Sequence, residues 1–114
     1  MSGFTHRIRL RRPWLRLPQG ERVIWRRWFG RPRRLASDEQ VWLVLEEFAV
    51  PVRAVLNGEA LGTSLPPGPA AFAVTALLQA RNELALELPG AGGEPIPAEI
   101  PPGGVCLEIR RGVG

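Results

Sequence analysis

Hydrophobic and polar positions alternate with a period of two along most of this chain, the mark of half-buried strands. The clearest stretch runs from Val52 to Gly62, Val-Arg-Ala-Val-Leu-Asn-Gly-Glu-Ala-Leu-Gly. Val52, Ala54 and Leu56 share one parity, and Arg53 and Val55 share the other. Asn57-Gly58 follows at once, a dipeptide that tolerates positive φ at both central positions of a type I′ turn. Glu59-Ala-Leu then reads as a short return strand that Gly62 breaks. Asn82 to Leu88 alternates as cleanly, with Leu84, Leu86 and Leu88 inward and Glu83, Ala85 and Glu87 outward.

The other segments extend the pattern. Phe4, His6, Ile8 and Leu10 form one face of a first strand, and Arg7, Arg9 and Arg11 its basic outer face. Arg12-Pro13 ends it, because proline cannot donate to a ladder. Trp14 to Gly20 reads as a loop. Glu21 to Phe29 is a strand with mixed faces: Trp25, Arg27 and Phe29 on one side, Ile24, Arg26 and Trp28 on the other. One Arg therefore sits between two aromatics whichever way the strand turns. A buried Arg needs a carboxylate partner, with Glu83, Glu87 and Glu108 as candidates.

Gly30 to Glu39 is a basic loop that turns acidic at its end. Val41 to Phe48 sets Val41, Leu43 and Leu45 against Trp42, Val44 and Glu46. After a Pro-Gly loop from Leu65 to Ala70, Ala71 to Val74 is a short strand. Thr75 is placed to cap one helical turn. Pro89 to Gly104 reads as a surface loop with Ile96 and Ile100 tucked back. Val105, Leu107 and Ile109 form a last inward face, and Arg110 to Gly114 a tail. Seven or eight short strands without a βαβ rhythm predict a single all-β domain over residues 1–114, a two-sheet antiparallel β-sandwich of jelly-roll type.

Composition narrows the picture. A chain of 114 residues is long enough for one core without disulfides or a metal, and its single cysteine, Cys106, gives no sign of an oxidising compartment. No apolar run reaches the roughly 20 residues of a membrane span, and the N-terminus lacks the apolar stretch of a secretory signal. The expected location is cytoplasmic. All fifteen basic residues are Arg. The formal charge of +4 hides a split: residues 1–34 hold eleven Arg and one Glu, whereas residues 35–114 hold four Arg and ten acids. Such a split can mark a polyanion-binding face. The stronger reading is that basic early strands pair beside acidic later ones.

Candidate chemistry is sparse. The chain has one His, one Cys and one Asp: His6, Cys106 and Asp38. His6 falls on the inward parity of its strand, as a core histidine does, and Cys106 reads as a small buried residue. Glu46 and Glu47, adjacent on a strand, point to opposite faces. No nucleophile-and-base set, zinc spacing or phosphate loop is present, so neither catalysis nor a metal or cofactor is expected. Binding is the open question. Sugar sites pair an aromatic platform with a few polar groups, and the chain holds Trp14, Trp25, Trp28 and Trp42. Most should be core, since a Trp dominates a small interior. Trp42, on an outer parity, is the first candidate for an exposed platform and Trp28 the second. Trp28, Trp42, Arg26 and Arg27 form the candidate ligand-binding set. A partner-protein surface is the rival reading, and nucleic acid ranks below it because no nucleic-acid signature is present.

The order of motifs resembles the N-terminal sugar-binding domain of glycoside hydrolases of the β-galactosidase and β-glucuronidase type. The pieces are Trp25-Arg-Arg-Trp-Phe29, Val41-Trp-Leu43, Ala54-Val-Leu-Asn-Gly-Glu-Ala-Leu-Gly62, Phe72-Ala-Val-Thr-Ala-Leu-Leu78 and Asn82-Glu-Leu-Ala-Leu86. They span about Val23 to Leu88. Leu56 stands where that family usually has Trp or Tyr. The resemblance implies a galactose-binding-like jelly roll in which Asn57, Gly58, Gly62 and Asn82 are turn and structural residues. In such enzymes the domain is mainly a scaffold, and catalysis belongs to a separate barrel. The resemblance therefore implies a non-catalytic module that binds carbohydrate, or else docks on a partner protein.

Overall fold

The structure, a computed structural model, describes residues 4–90 and 101–111, with backbone alone for Phe4 and Thr5. Among the described residues nine strands, joined by antiparallel pairing throughout, make two sheets. In chain order they are β1 (Phe4–Arg9), β2 (Leu15–Gln19), β3 (Arg22–Gly30), β4 (Glu39–Glu46), β5 (Val52–Leu56), β6 (Glu59–Ser64), β7 (Ala70–Ala73), β8 (Arg81–Pro89) and β9 (Gly104–Arg111). One sheet runs β1-β9-β4-β7 and the other β2-β3-β8-β5-β6. This is the predicted β-sandwich with jelly-roll character.

Alternation explains the layering. Val41, Leu43 and Leu45 of β4 and Val105, Leu107 and Ile109 of β9 face inward from the four-stranded sheet. Trp25 and Phe29 of β3, Leu84, Leu86 and Leu88 of β8, and Val52, Ala54 and Leu56 of β5 close on them from the five-stranded sheet. Each large aliphatic side chain removed from water stabilises the fold by about 1.5–3 kcal/mol before packing terms. Val74, Leu78, Phe48 and Leu10 seal the ends of this core.

Several local expectations are corrected. Residues 15–19 form β2 and pair with β3 from Leu15↔Arg26 to Gln19↔Arg22, so the expected loop from Trp14 to Gly20 is largely strand. Pro18 hides this from a propensity reading, yet an edge strand accepts proline. Gly62 does not break β6. The strand runs on to Ser64, and Leu61 is accommodated by a bulge between the Ala54↔Gly62 and Val55↔Ala60 pairs. Thr75–Leu77 is one 3-10 turn without a side-chain cap. The Thr75 hydroxyl instead accepts from the Val41 backbone N–H at 2.8 Å, tying the turn to β4. Arg110 and Arg111 belong to β9, opposite Gln40 and Glu39, and are not tail. Glu47 lies beyond β4 with φ 65°, so the Glu46–Glu47 pair does not share a strand. Ile96 and Ile100 lie outside the described residues.

Candidate functional site

The outer face of the five-stranded sheet carries the candidate site. The ladder sets side chains in rows across the strands. Leu17, Ile24, Glu87 and Arg53 form one row, Leu15, Arg26, Ala85 and Val55 the next, and Trp28 with Glu83 a third. Opposite charges meet within and between these rows. Arg53 Nη1 lies 2.6 Å and Arg22 Nη1 3.4 Å from the Glu87 carboxylate. Arg26 Nε lies 3.4 Å from Glu83 Oε1, off the line of a hydrogen bond. The apolar side chains of these rows are partly wet: Leu15 is 47% exposed and Trp28 39%.

Two asparagines fix the end of this face. Asn57 has φ 51° and Gly58 φ 83°, the left-handed pair that a type I′ turn demands. The Asn57 Oδ1 accepts from the Glu83 N–H at 2.9 Å, and its Nδ2 donates to Leu77 O and to Asn82 Oδ1, each at 3.0 Å. Asn82 is fully buried. Its Oδ1 also accepts from the Gln79 N–H at 2.7 Å, and its Nδ2 donates to Phe29 O and Gln79 O. One amide pair thus binds the β5–β6 turn, the start of β8, the end of β3 and the 3-10 turn. Asn57 and Gly58 form the turn, and the two asparagine amides tie it to its neighbours.

Beside this clip, Trp28, Asn57, Gly58, Gln79, Arg81 and Glu83 line a shallow depression of about 450 Å³. Arg81 and Glu83 share the outward parity of β8 with Trp28 opposite Glu83. Gly30 stands opposite Arg81 and sets no side chain against it. Gln79 and Arg81 were not singled out from the sequence. The outward parity of Arg81 was visible there, but not the pairing of β3 with β8 that brings it to Trp28.

The other candidates are placed differently. Arg26 joins the Trp28 face. Arg27, on the core-facing parity between Trp25 and Phe29, has no carboxylate partner among the described residues. Its guanidinium donates to the backbone oxygens of Arg11 and Trp28, which corrects the expected ion pair, and burial pushes its pKa down.

Trp42, the first-ranked platform, is half-buried on the other sheet. Arg110 covers it, Cζ lying 4.6 Å from the ring centroid. Arg110 in turn binds Glu108 at 2.7 Å, Glu108 binds Arg7 at 3.1 Å, and Arg7 binds Glu46 at 2.9 Å. That face closes on itself, and Trp28 is the more exposed of the two indoles.

His6 is exposed, contrary to its expected core position. It keeps the inward parity, opposite Ile109, but sits near the start of β1, an edge strand, where the core does not cover it. Cys106 is buried beneath Arg7, and burial pushes its thiol pKa up. Among the described residues no group of three His, Cys, Asp or Glu side chains is placed to hold a metal ion, and no helix is long and apolar enough to cross a membrane.

No protein-family model matches the sequence, and no curated protein matches it. Solved structures do. An FMN-binding β-glucuronidase from Faecalibacterium prausnitzii L2-6 superposes with TM-score 0.60 at 19% identity, over 77% of this chain and 15% of that one. A Bifidobacterium dentium β-glucuronidase complexed with coumarin-3-O-glucuronide gives TM-score 0.60 at 19% identity, over 79% of this chain and 21% of that one. A Bacteroides fragilis protein described as a putative β-galactosidase gives 0.57 at 19%, over 78% and 15%. The fold is therefore the β-sandwich that glycoside hydrolases of the β-glucuronidase and β-galactosidase type contain as one part, as the motifs implied. The chain spans only 15–21% of the length of these three enzymes.

Proposed function

We propose that this chain is a non-catalytic binding module and that its ligand is carbohydrate, held at Trp28 on the outer face of the five-stranded sheet. The supporting observation is the exposed Trp28 indole in one depression with Gln79, Arg81 and Glu83. A sugar ring has an apolar face and a rim of hydroxyls. The indole offers a flat apolar surface, Gln79 both donates and accepts, Arg81 donates and Glu83 accepts. The turn of Asn57 and Gly58 is already rigid, so little ordering is lost on binding. The fold, shared with parts of enzymes named for glycosidic substrates, is consistent with this reading. The groups that could do chemistry are scattered: His6 opposite Ile109, Cys106 opposite Arg9, Asp38 beside Arg111.

A second reading has its own observation. Leu15, Leu17 and Ile24 extend the apolar surface away from Trp28, which suits docking on a partner protein. Titration of a glycan panel, followed by tryptophan fluorescence and calorimetry, separates the two. Carbohydrate binding requires a saturable response that Trp28→Ala abolishes and that Trp42→Ala and Leu15→Asp leave intact. Absence of any response to the panel overturns it. Docking requires a stable larger complex that Leu15→Asp disrupts.

A further inference from the structure

We propose that a second site, distinct from the Trp28 face, binds a small molecule carrying phosphate or sulfate in the cleft between β1 and the start of β9. A cleft of about 390 Å³ is lined by Arg9, Leu10, Arg11, Arg12, Pro101, Gly103, Gly104 and Val105. Three of its lining residues are arginines and none is acidic.

The register explains the arrangement. Arg9 pairs with Cys106, and the Leu10 N–H donates to Val105 O at 2.9 Å. Leu10 turns into the core, so Arg9 and Arg11 turn outward on the same parity. Continuing the register carries Arg11 and Arg12 toward Gly104 and Gly103, which set no side chains against them. Those glycines are held by packing from the other side. A Cβ on Gly103 would lie 2.6 Å from the Phe48 ring, and one on Gly104 would lie 3.1 Å from Glu46 Cγ. The bare floor of the cleft is therefore set by the core side chain of Phe48 at Gly103 and by Glu46 at Gly104.

Charge balance separates this cleft from the others. The cleft lined by Glu21, Arg22, Arg53 and Glu87 contains both signs and compensates itself through the Glu87 ion pairs. Most arginines elsewhere on the sheets meet carboxylates, as Arg7, Arg26 and Arg110 do. Glu46, beside Gly104, is engaged by Arg7. Among the described residues Arg9 and Arg11 have no carboxylate partner. Clustered guanidiniums repel one another, and an oxyanion relieves that repulsion while offering several acceptors to their planar forks. A tetrahedral group with two or more negative charges suits the cleft better than a monocarboxylate.

Calorimetric titration of the whole chain with sodium pyrophosphate, with a sulfated heparin disaccharide and with acetate tests this. The expected result is saturable one-to-one binding of pyrophosphate or the disaccharide, whichever is tighter naming the source, with acetate at least tenfold weaker. The double variant Arg9→Gln/Arg11→Gln should lose about tenfold or more while keeping the parent melting temperature, since both side chains are exposed. Arg53→Gln, which removes one positive charge from the other cleft, should leave the affinity within about twofold. Absence of saturable binding by either anion, or equal losses in the double variant and in Arg53→Gln, would overturn the proposal. Binding only to long heparin or single-stranded DNA, unchanged in the double variant, would overturn it as well.

Discussion

At the residue scale the two motif asparagines matter most. Asn82 is fully buried, and its amide meets Asn57, Gln79 and Phe29. Asn82→Ala leaves the Gln79 N–H and the Phe29 carbonyl without that partner. Each such buried group costs about 1–3 kcal/mol, so urea unfolding should show a loss of about 3 kcal/mol; a loss below about 0.5 would show that the clip carries no weight. Cys106 gives a pH prediction. Burial raises its thiol pKa in the folded state, so the unfolded chain gives up its proton first. Stability is then unaffected below the ordinary thiol range and falls as pH rises through it. In alkaline buffer the wild-type chain should lose stability relative to Cys106→Ala, and its thiol should react with a disulfide reagent only on unfolding. The asparagine positions were readable because motif and turn chemistry coincide. The roles of Arg26 and Arg27 were not. The mixed faces of the strand leave open which Arg turns inward, and that an inward Arg satisfies itself on carbonyls depends on where the Arg11 backbone passes.

At the element scale the β5–β6 hairpin and β8 were legible because alternation, turn residues and burial agree. β2 was not, because Pro18 and two outward leucines look like loop when the partner strand is unknown. The far end of the hairpin shows the same limit. Gly62 has φ 146°, and a Cβ there would stand 2.9 Å from Phe72 Cε1. The glycine permits the bulge and the close approach of Phe72, and does not end the strand. Gly62→Ala should therefore cost about 1–3 kcal/mol by strain and overpacking, read as a lower urea midpoint; a neutral result would mean that Phe72 moves aside freely.

At the scale of the whole molecule, two sheets close over one interior, and both proposed binding surfaces lie on the outside of that closure. Leu86 is fully buried between Trp25 and Ala54 in the ladder, so Leu86→Ala should cost about 2–5 kcal/mol in chemical denaturation. The charge split follows the topology: Arg7, Arg22 and Arg26 from the first third reach Glu46, Glu108, Glu87 and Glu83 from later strands. These contacts are partly wet, so Arg53→Gln should cost at most about 1 kcal/mol despite the 2.6 Å contact with Glu87. Sequence alternation revealed two layers but not which strand lies beside which, and the neighbours of Trp28 and Trp42 depend on that order. The four indole N–H signals of the chain therefore give the most direct test of the proposed site. In a proton–nitrogen NMR titration with a binding glycan, the Trp28 signal should shift progressively, while those of buried Trp25, of Trp14 bonded to Leu10 O and of Trp42 under Arg110 stay in place. A shift centred on Trp42, or a Trp28 signal that stays fixed while the glycan binds, would contradict it.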